Sequence, residues 1–147
     1  MVTMIQCAAT HYSAHNEPSA VIVDSPCGTP WQQLLRTRPN VLVIGPRRAT
    51  DTFVASASQS FRPPIVSVGC RDGLALKRTG TLVLRDVDLL DPDAQARLIA
   101  WLDDPANAST QIVSTSAVRL FSRVQAQQFA GKLYYRLNTV TLLARVV

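Results

Sequence analysis

The sequence contains few of the residues that build metal and redox sites: three cysteines and two histidines in 147 residues. Cys7, Cys27 and Cys70 are too widely spaced for a zinc knuckle or a CxxC redox pair, and they fit idle or buried thiols in a reducing compartment. His11 and His15 lie four residues apart, but no helix is predicted there and no acidic third ligand is evident. We therefore expect no metal site.

Long apolar runs are also missing. No stretch approaches the roughly 20 apolar residues that span a bilayer, and the N-terminus has no basic region followed by an apolar one. The sequence therefore predicts a soluble, cytoplasmic protein with no membrane partner. Charged residues make up 17% and hydrophobic residues 47% of the chain, a globular composition. The net charge of +5 comes from scattered basic residues and does not specify a nucleic-acid partner.

The distribution of apolar residues predicts an α/β fold. Helical periodicity is clearest at 91–104, where Asp91 is a good N-cap and Pro92 suits the first helical position. Weaker helices are predicted at 31–38, 50–60, 117–130 and 133–137. Apolar runs typical of buried strands lie at 41–44, 65–68, 82–87, 111–115 and 140–143, with a shorter one at 21–23. Together they predict a mostly parallel sheet of about five strands in a domain at 21–147, after an N-terminal extension of unknown role at 1–20.

The strand at 41–44 and Gly45 lead into the place where a phosphate-binding loop would lie, at 45–52. Such a loop binds phosphate through backbone N–H groups and the following helix N-terminus. It needs glycine, lysine and a hydroxyl residue in succession, and here Thr50, Asp51 and Thr52 stand at those positions. Because an aspartate repels phosphate by several kcal/mol at about 4 Å, we expect no tight binding of a nucleoside triphosphate.

Arg47 and Arg48 in the same segment leave two interpretations open. They could form an anion site together with the N-terminus of the next helix. They could equally be two solvated arginines that Asp51 partly offsets.

Two further segments carry a family resemblance. GTLVLRDVDLLDPDAQARLIAWL at 80–102 and FAGKLYYRLNTVTL at 129–142 together resemble the central AAA+ domain of sigma-54-dependent bacterial transcription activators, the enhancer-binding proteins. LYYRLN at 133–138 is the most specific string, and PIVSVGC at 64–70 helps to extend the resemblance over 24–143. The resemblance implies a three-layer P-loop NTPase-like core whose mostly parallel five-stranded sheet is flanked by helices.

In that family the first segment is the Walker B strand, where an aspartate holds the metal's water shell and a glutamate orients the attacking water. Arg85 and Asp86 stand there in this sequence, and a salt bridge from Arg85 to Asp51 is a conceivable substitute for the missing lysine and metal. Ser116 stands where an asparagine usually senses the γ-phosphate. The resemblance therefore implies a degenerate nucleotide site composed of Gly45, Arg47, Arg48, Thr50, Asp51, Thr52, Arg85, Asp86 and Ser116.

The second segment carries, in the family, two arginines that reach into a neighbouring subunit's nucleotide. Ala130 replaces the first arginine, and Arg136 matches the second. The group Tyr134, Tyr135 and Arg136 is therefore open to two interpretations: a subunit interface, or packing of the last turn of the core.

Several family elements have no counterpart in this sequence. Between Cys70 and Gly80 the family carries several dozen residues, including the GAFTGA loop that touches sigma-54, so direct contact with sigma-54 is not expected. The family's helical lid and DNA-binding helix-turn-helix are not expected either, since the chain ends at Val147.

These substitutions predict a degenerate AAA+ core without ATPase activity, without bound ATP or Mg²⁺ and without catalytic residues. The predicted role is regulatory, in bacterial transcription, through a protein partner such as related AAA+ subunits or a second copy of the chain. Two alternatives stay open: a residual ATP-binding subunit of a mixed AAA+ assembly, and a relic with no present role.

Overall fold

The strands of the computed structural model form one sheet over the described residues, which are 11–12, 20–22, 38–71 and 73–144. The strands are β1 (His11–Tyr12), β2 (Ala20–Ile22), β3 (Val41–Ile44), β4 (Ile65–Gly69), β5 (Thr81–Arg85), β6 (Gln111–Ser116) and β7 (Val140–Leu143). The helices are α1 (Arg47–Ala57), α2 (Pro92–Asp103), α3 (Leu120–Gln125) and α4 (Gly131–Leu137), with short 3₁₀ turns at Ser58–Ser60, Val87–Leu89 and Pro105–Asn107. None of the helices in these ranges is long and apolar enough to cross a bilayer.

The strand order is β1-β2-β7-β3-β6-β5-β4, and every neighbouring pair is parallel except β1 with β2. The predicted parallel sheet of five strands is thus confirmed as β7-β3-β6-β5-β4. Strand β2 adds to it beside β7, with Val21 opposite Leu142, so the short strand predicted at 21–23 lies one residue earlier.

Helices cover both faces of the sheet, which gives three layers. On one face α1 buries Phe53 and Ala57 against the strands, in a cluster that includes Val83. On the other face α2, α3 and α4 form a larger cluster, in which Leu98 and Leu133 are completely buried. Each fully buried side chain of this size contributes about 1.5 to 3 kcal/mol relative to an exposed one, so the helices stay tightly packed on the sheet.

Helix α2 begins as predicted. The Asp91 carboxylate accepts a hydrogen bond of 2.7 Å from the Ala94 N–H, and Pro92 occupies the first turn, where no helical partner for its nitrogen exists. Ala94 and Leu98 are buried beneath this helix.

Several helix boundaries differ from the prediction: α4 begins at Gly131 instead of residue 133, and α3 begins at Leu120 instead of residue 117. Helix α3 ends at Gln125 instead of continuing to residue 130, because Gln127 has a positive φ of 58° and the Gln128 and Phe129 N–H groups both turn back to the Arg123 carbonyl. Helix α1 begins at Arg47, three residues before the predicted start at residue 50. The helix predicted at 31–38 lies outside the described residues.

Strand β4 was predicted to be buried, but only one of its faces is: Val68 packs into the cluster beneath α2, while the opposite face is open. It is the edge strand, paired only with β5 among the described strands, and Ile65 and Ser67 are exposed. Residues 70–71 and 73–80, which connect β4 to β5, contain no helix. Leu74 of this connection instead packs, buried, into the cluster beneath α2.

Gly80 lies where two stretches of backbone come very close, just before β5. A Cβ atom at this position would be pressed against the Pro63 carbonyl and would lie 2.5 Å from the Arg62 carbonyl oxygen. We expect Gly80→Ala to lower the free energy of unfolding by about 2 kcal/mol or more, since main-chain atoms must move to make room.

The matched control is Gly131→Ala in α4, whose new Cβ would meet Val124 Cγ1 at an ordinary 3.6 Å. Its effect should stay within about 1 kcal/mol, the size of a helix-propensity change. Urea unfolding measures both variants, and equal midpoints would show that the close approach at Gly80 is not structurally important.

Candidate nucleotide site

The carboxyl ends of β3, β5 and β6 meet at one edge of the sheet, and the predicted site residues meet with them. The Gly45 N–H donates a hydrogen bond of 3.0 Å to the Ser116 carbonyl, which ties the end of β3 to the end of β6. Arg85 ends β5 beside them. In parallel α/β sheets this edge is the usual ligand-binding position.

The segment predicted as a phosphate-binding loop is mostly helical, because only Gly45 and Pro46 separate β3 from α1. Pro46, which precedes the helix, has no N–H group, and the Thr50 N–H is engaged by the Pro46 carbonyl at 3.0 Å. Only the N–H groups of the first turn stay outside the helical hydrogen bonds. The predicted loop at 45–52 is therefore corrected: the backbone forms no open loop of N–H groups there.

The hydroxyls of this segment are engaged as well. Thr50 Oγ1 donates to the Arg47 carbonyl at 3.0 Å, and Thr52 Oγ1 donates to the Arg48 carbonyl at 2.8 Å. Thr50 is also buried. The two threonines thus cap carbonyls of their own helix.

Asp86 is held in a fixed position by three features. Its carboxylate accepts a hydrogen bond from Arg47 at 3.0 Å, and its side chain is only 12% exposed. Its backbone N–H donates to Thr115 Oγ1 at 3.1 Å. Its backbone is left-handed, with φ 59°, a conformation that aspartate tolerates better than most residues. The position of Asp86 is therefore set by neighbours on α1 and β6.

A second ion pair lies beside the first. Arg85 NH1 is 3.4 Å from Asp51 Oδ1, and Arg85 Nε donates to Ser67 Oγ at 3.0 Å. The side chains of this pair are 39% and 42% exposed, so it contributes at most about 1 kcal/mol. The salt bridge between Arg85 and Asp51 suggested in the sequence analysis is therefore present, with the acid on α1 and the base on β5.

Ser116, the candidate γ-phosphate sensor, is engaged within its own turn. Its hydroxyl donates to the Val118 carbonyl at 2.6 Å and accepts from the Val118 N–H at 3.2 Å. The side chain is buried, so a ligand would have to break this turn to reach it.

Sequence reasoning missed three residues of this region: Ser67, Thr115 and Asp88. Ser67 lies in β4 and Thr115 lies in β6 next to Ser116, and neither is a motif position, so no local signal identified them. Asp88 has a buried carboxylate oxygen without a hydrogen-bond partner. Burial, reinforced by the charges of Asp86 and Asp88, raises the pKa of the Cys70 thiol to about 12, so this thiol stays protonated.

The three predicted interface residues have different environments. Tyr134 is buried, with its ring centroid 5.9 Å from that of Phe121, and it belongs to the core. Tyr135 is 62% exposed. Arg136 NH1 contacts Asp103 Oδ1 at 2.7 Å, and Arg136 NH2 donates to the Leu102 carbonyl at 2.6 Å. The packing interpretation therefore applies to Tyr134, while the interface interpretation stays a prediction for Tyr135 and Arg136.

Asp103 is the centre of a small cluster that joins α2 to α4. Lys132 Nζ binds its second carboxylate oxygen at 2.9 Å, opposite Arg136. The guanidinium of Arg136 also satisfies a carbonyl of the last turn of α2, where a positive charge is favourable.

The sheet order, the layers and the position of the site define the class of this protein: an α/β domain of the P-loop NTPase type. A model of the family described as the sigma-54 interaction domain matches residues 29–144, and the chain belongs to this family. A comparison with curated protein sequences gave no significant match.

Solved structures show the same fold. NtrX from Brucella abortus, crystallised with ATP, has a TM-score of 0.62 and 20% identity, over 76% of this chain and 34% of NtrX. The P-loop NTPase domain of the sigma-54 transport activator from E. coli has a TM-score of 0.59 and 20% identity, over 79% of this chain and 91% of that one. RuvB from Thermotoga maritima reaches 0.54 with 15% identity, over 76% of this chain and 41% of RuvB. The chain thus spans about a third of the length of NtrX.

The Asp103 cluster predicts a pH dependence of stability. The pKa of Asp103 is lowered from its ordinary 3.8, first by the hydrogen bond from Lys132 and then by the attraction of Lys132 and Arg136. A lowered pKa in the folded state gives stability that is complete above the unfolded-state value and is lost as pH falls through the folded-state value. Near pH 7, Asp103→Asn should therefore have a lower urea midpoint of unfolding than the native protein. The difference between the two midpoints should become smaller below about pH 4.

The control is Asp93→Asn, which removes another exposed carboxylate from the same helix. If the difference in urea midpoint between Asp103→Asn and the native protein stayed constant across the acid range, the carboxylate charge would not stabilise the α2–α4 contact.

Proposed function

We propose that this sigma-54 interaction domain neither binds nor hydrolyses ATP, and that it acts as a regulatory protein-interaction module in bacterial transcription. The observation that carries the proposal is the pairing of four charged side chains of the site with one another. Arg47 pairs with Asp86, and Arg85 pairs with Asp51.

The residues present do not fit a nucleotide triphosphate with its metal. A bound triphosphate would face the carboxylate of Asp51, and it would compete with Asp86 for Arg47. Magnesium needs oxygen ligands in near-octahedral geometry, and Arg85 instead brings a positive charge to the metal position. The triphosphate would therefore meet a like charge at Asp51 and an arginine already paired with Asp86, and the metal would meet a like charge at Arg85.

The backbone adds a geometric argument against nucleotide binding. A phosphate-wrapping loop presents several consecutive N–H groups to one point, whereas an α-helix turns most of its N–H groups toward its own carbonyls. The chain enters α1 at Arg47, directly after Pro46. Restoring a lysine alone would therefore not restore the loop.

The contacts of Arg136 support the proposal that this chain does not act on the nucleotide of a neighbouring subunit. Its guanidinium is bound to Asp103 and to the Leu102 carbonyl of its own chain, so it would have to leave both to reach a neighbour's nucleotide. Tyr135 next to it is exposed, and exposed tyrosine and arginine are enriched at protein interfaces. The proposed partners are related AAA+ subunits or a second copy of the chain.

Contact with sigma-54 through a long insertion is not part of the proposal. The described residues between β4 and β5, 70–71 and 73–80, form a short coil whose Leu74 packs into the core. Such a connection offers no extended loop to a partner.

Calorimetric titration with Mg-ATP and Mg-ADP tests the proposal. The native protein should give no binding heat up to about millimolar nucleotide, which corresponds to a binding free energy weaker than about 4 kcal/mol. The matched control is the exchange variant, Asp51→Lys with Arg85→Asp. It keeps an ion pair but places the base on α1 and the acid on β5, as in the family.

Saturable binding of nucleotide by the native protein at micromolar concentration would contradict the proposal. It would support a residual ATP-binding subunit instead. Binding by the exchange variant alone would identify the exchanged charges, rather than the helical loop, as the cause of the loss.

A further inference from the structure

Strand β4 presents an open backbone edge. The Cys70 N–H donates to the Arg85 carbonyl, and the Thr81 N–H donates to the Pro64 carbonyl. In a parallel pair alternate residues bond to the neighbouring strand, so the even-numbered residues of β4 bond to β5. The N–H and C=O groups of Ile65, Ser67 and Gly69 therefore point outward, where no described strand pairs with them.

The face of β4 beside α1 is open as well. Ile65 is 40% exposed and Ser67 is exposed, whereas their counterparts Thr81 and Val83 on β5 are buried. Helix α1 therefore covers β5 on this face but leaves β4 uncovered. The open edge thus continues into an open, partly apolar face, which is the surface that an added strand contacts in β-augmentation.

Positive charge flanks both ends of this edge. The stretch 61–80 contains four basic residues, Arg62, Arg71, Lys77 and Arg78, against one acidic residue, Asp72. Arg62 precedes β4 and Arg71 follows it, and both are exposed. At the Arg62 end lies a cavity of about 340 Å³, lined by Arg62, Arg78 and Ser109 among others and by no acidic side chain. An incoming strand would therefore meet basic side chains at either end.

We propose that the β4 edge binds an extended acidic segment of a protein partner as an additional strand. The backbone groups of Ile65, Ser67 and Gly69 form the hydrogen bonds, and Arg62 and Arg71 select a segment with carboxylates. A second copy of this chain fits poorly, because antiparallel pairing of two β4 edges places Arg62 of one copy near Arg71 of the other, and like charges across strands destabilise.

The inference deepens the proposed interaction role and rests on it for taking a protein as the partner. The two remain separable by experiment. Titration with nucleotide tests the loss of ATP binding, whereas a peptide tests the β4 edge, so either can fail without the other.

The probe is a fluorescein-labelled heptapeptide of alternating glutamate and valine, measured by fluorescence anisotropy with the whole chain. Three comparison ligands accompany it: the same peptide with lysine for glutamate, the same peptide N-methylated at every residue, and a short DNA duplex. The glutamate peptide should bind. The lysine peptide should fail for lack of charge complementarity, and the methylated peptide should fail because it cannot donate backbone hydrogen bonds.

Amide hydrogen exchange followed by NMR locates the bound peptide. Exchange of the Ile65, Ser67 and Gly69 N–H groups should slow on binding, while that of Val66 and Val68, which already bond within the sheet, should change little. Arg62→Glu and Arg71→Glu should each weaken binding about tenfold, since each turns attraction into repulsion. The matched control Arg97→Glu makes the same charge change on the exposed part of α2 and should leave binding unchanged.

Several results would overturn the inference. They are absence of binding to the glutamate peptide at millimolar concentration, equal binding of the methylated peptide, and protection at amides away from β4. Preferential binding of the DNA duplex would assign the basic residues to nucleic acid instead. Sedimentation showing a dimer that Arg62→Glu strengthens would assign the edge to a second copy of the chain.

Discussion

Two ion pairs, Arg47 with Asp86 and Arg85 with Asp51, join helix α1 to the carboxyl end of β5. They lie where proteins of this fold bind their ligands, at the carboxyl ends of the central strands. Each acid and base neutralises the other within the chain, so the edge carries no unpaired charge from these four residues. The site is thus a contact between a helix and a sheet.

The surrounding structure supports this contact from several directions. The early start of α1 brings Arg47 toward Asp86, and Thr115 of β6 fixes the Asp86 backbone from the other side. Ser116 closes the turn after β6 with its own hydroxyl. Farther away, Arg136 binds the end of α2 through Asp103. These polar and charged groups therefore satisfy one another within the chain.

Much of this arrangement could be predicted from the sequence, where local patterns determine it. The apolar runs placed β3 and β7 to the residue, and Asp91 and Pro92 marked the start of α2. The family resemblance put Arg85 and Asp51 in one site and so suggested their pairing. The pair of Arg47 with Asp86 could not be predicted, because it depends on the exact residue where α1 begins. The exposure of β4 depends on its edge position in the sheet, and the end of α3 depends on the positive φ of Gln127. Such features arise from tertiary packing, which a single sequence does not reveal.

Asp51 and Arg85 form an ion pair between α1 and β5. A double-mutant cycle of Asp51→Arg and Arg85→Asp, measured by the free energy of unfolding in urea, tests it most directly. We expect each single variant to be destabilised by repulsion and the double variant to recover most of that loss, with a coupling of about 1 kcal/mol that decreases at high salt. Additive effects of the two substitutions would show that the two side chains do not interact in the folded protein.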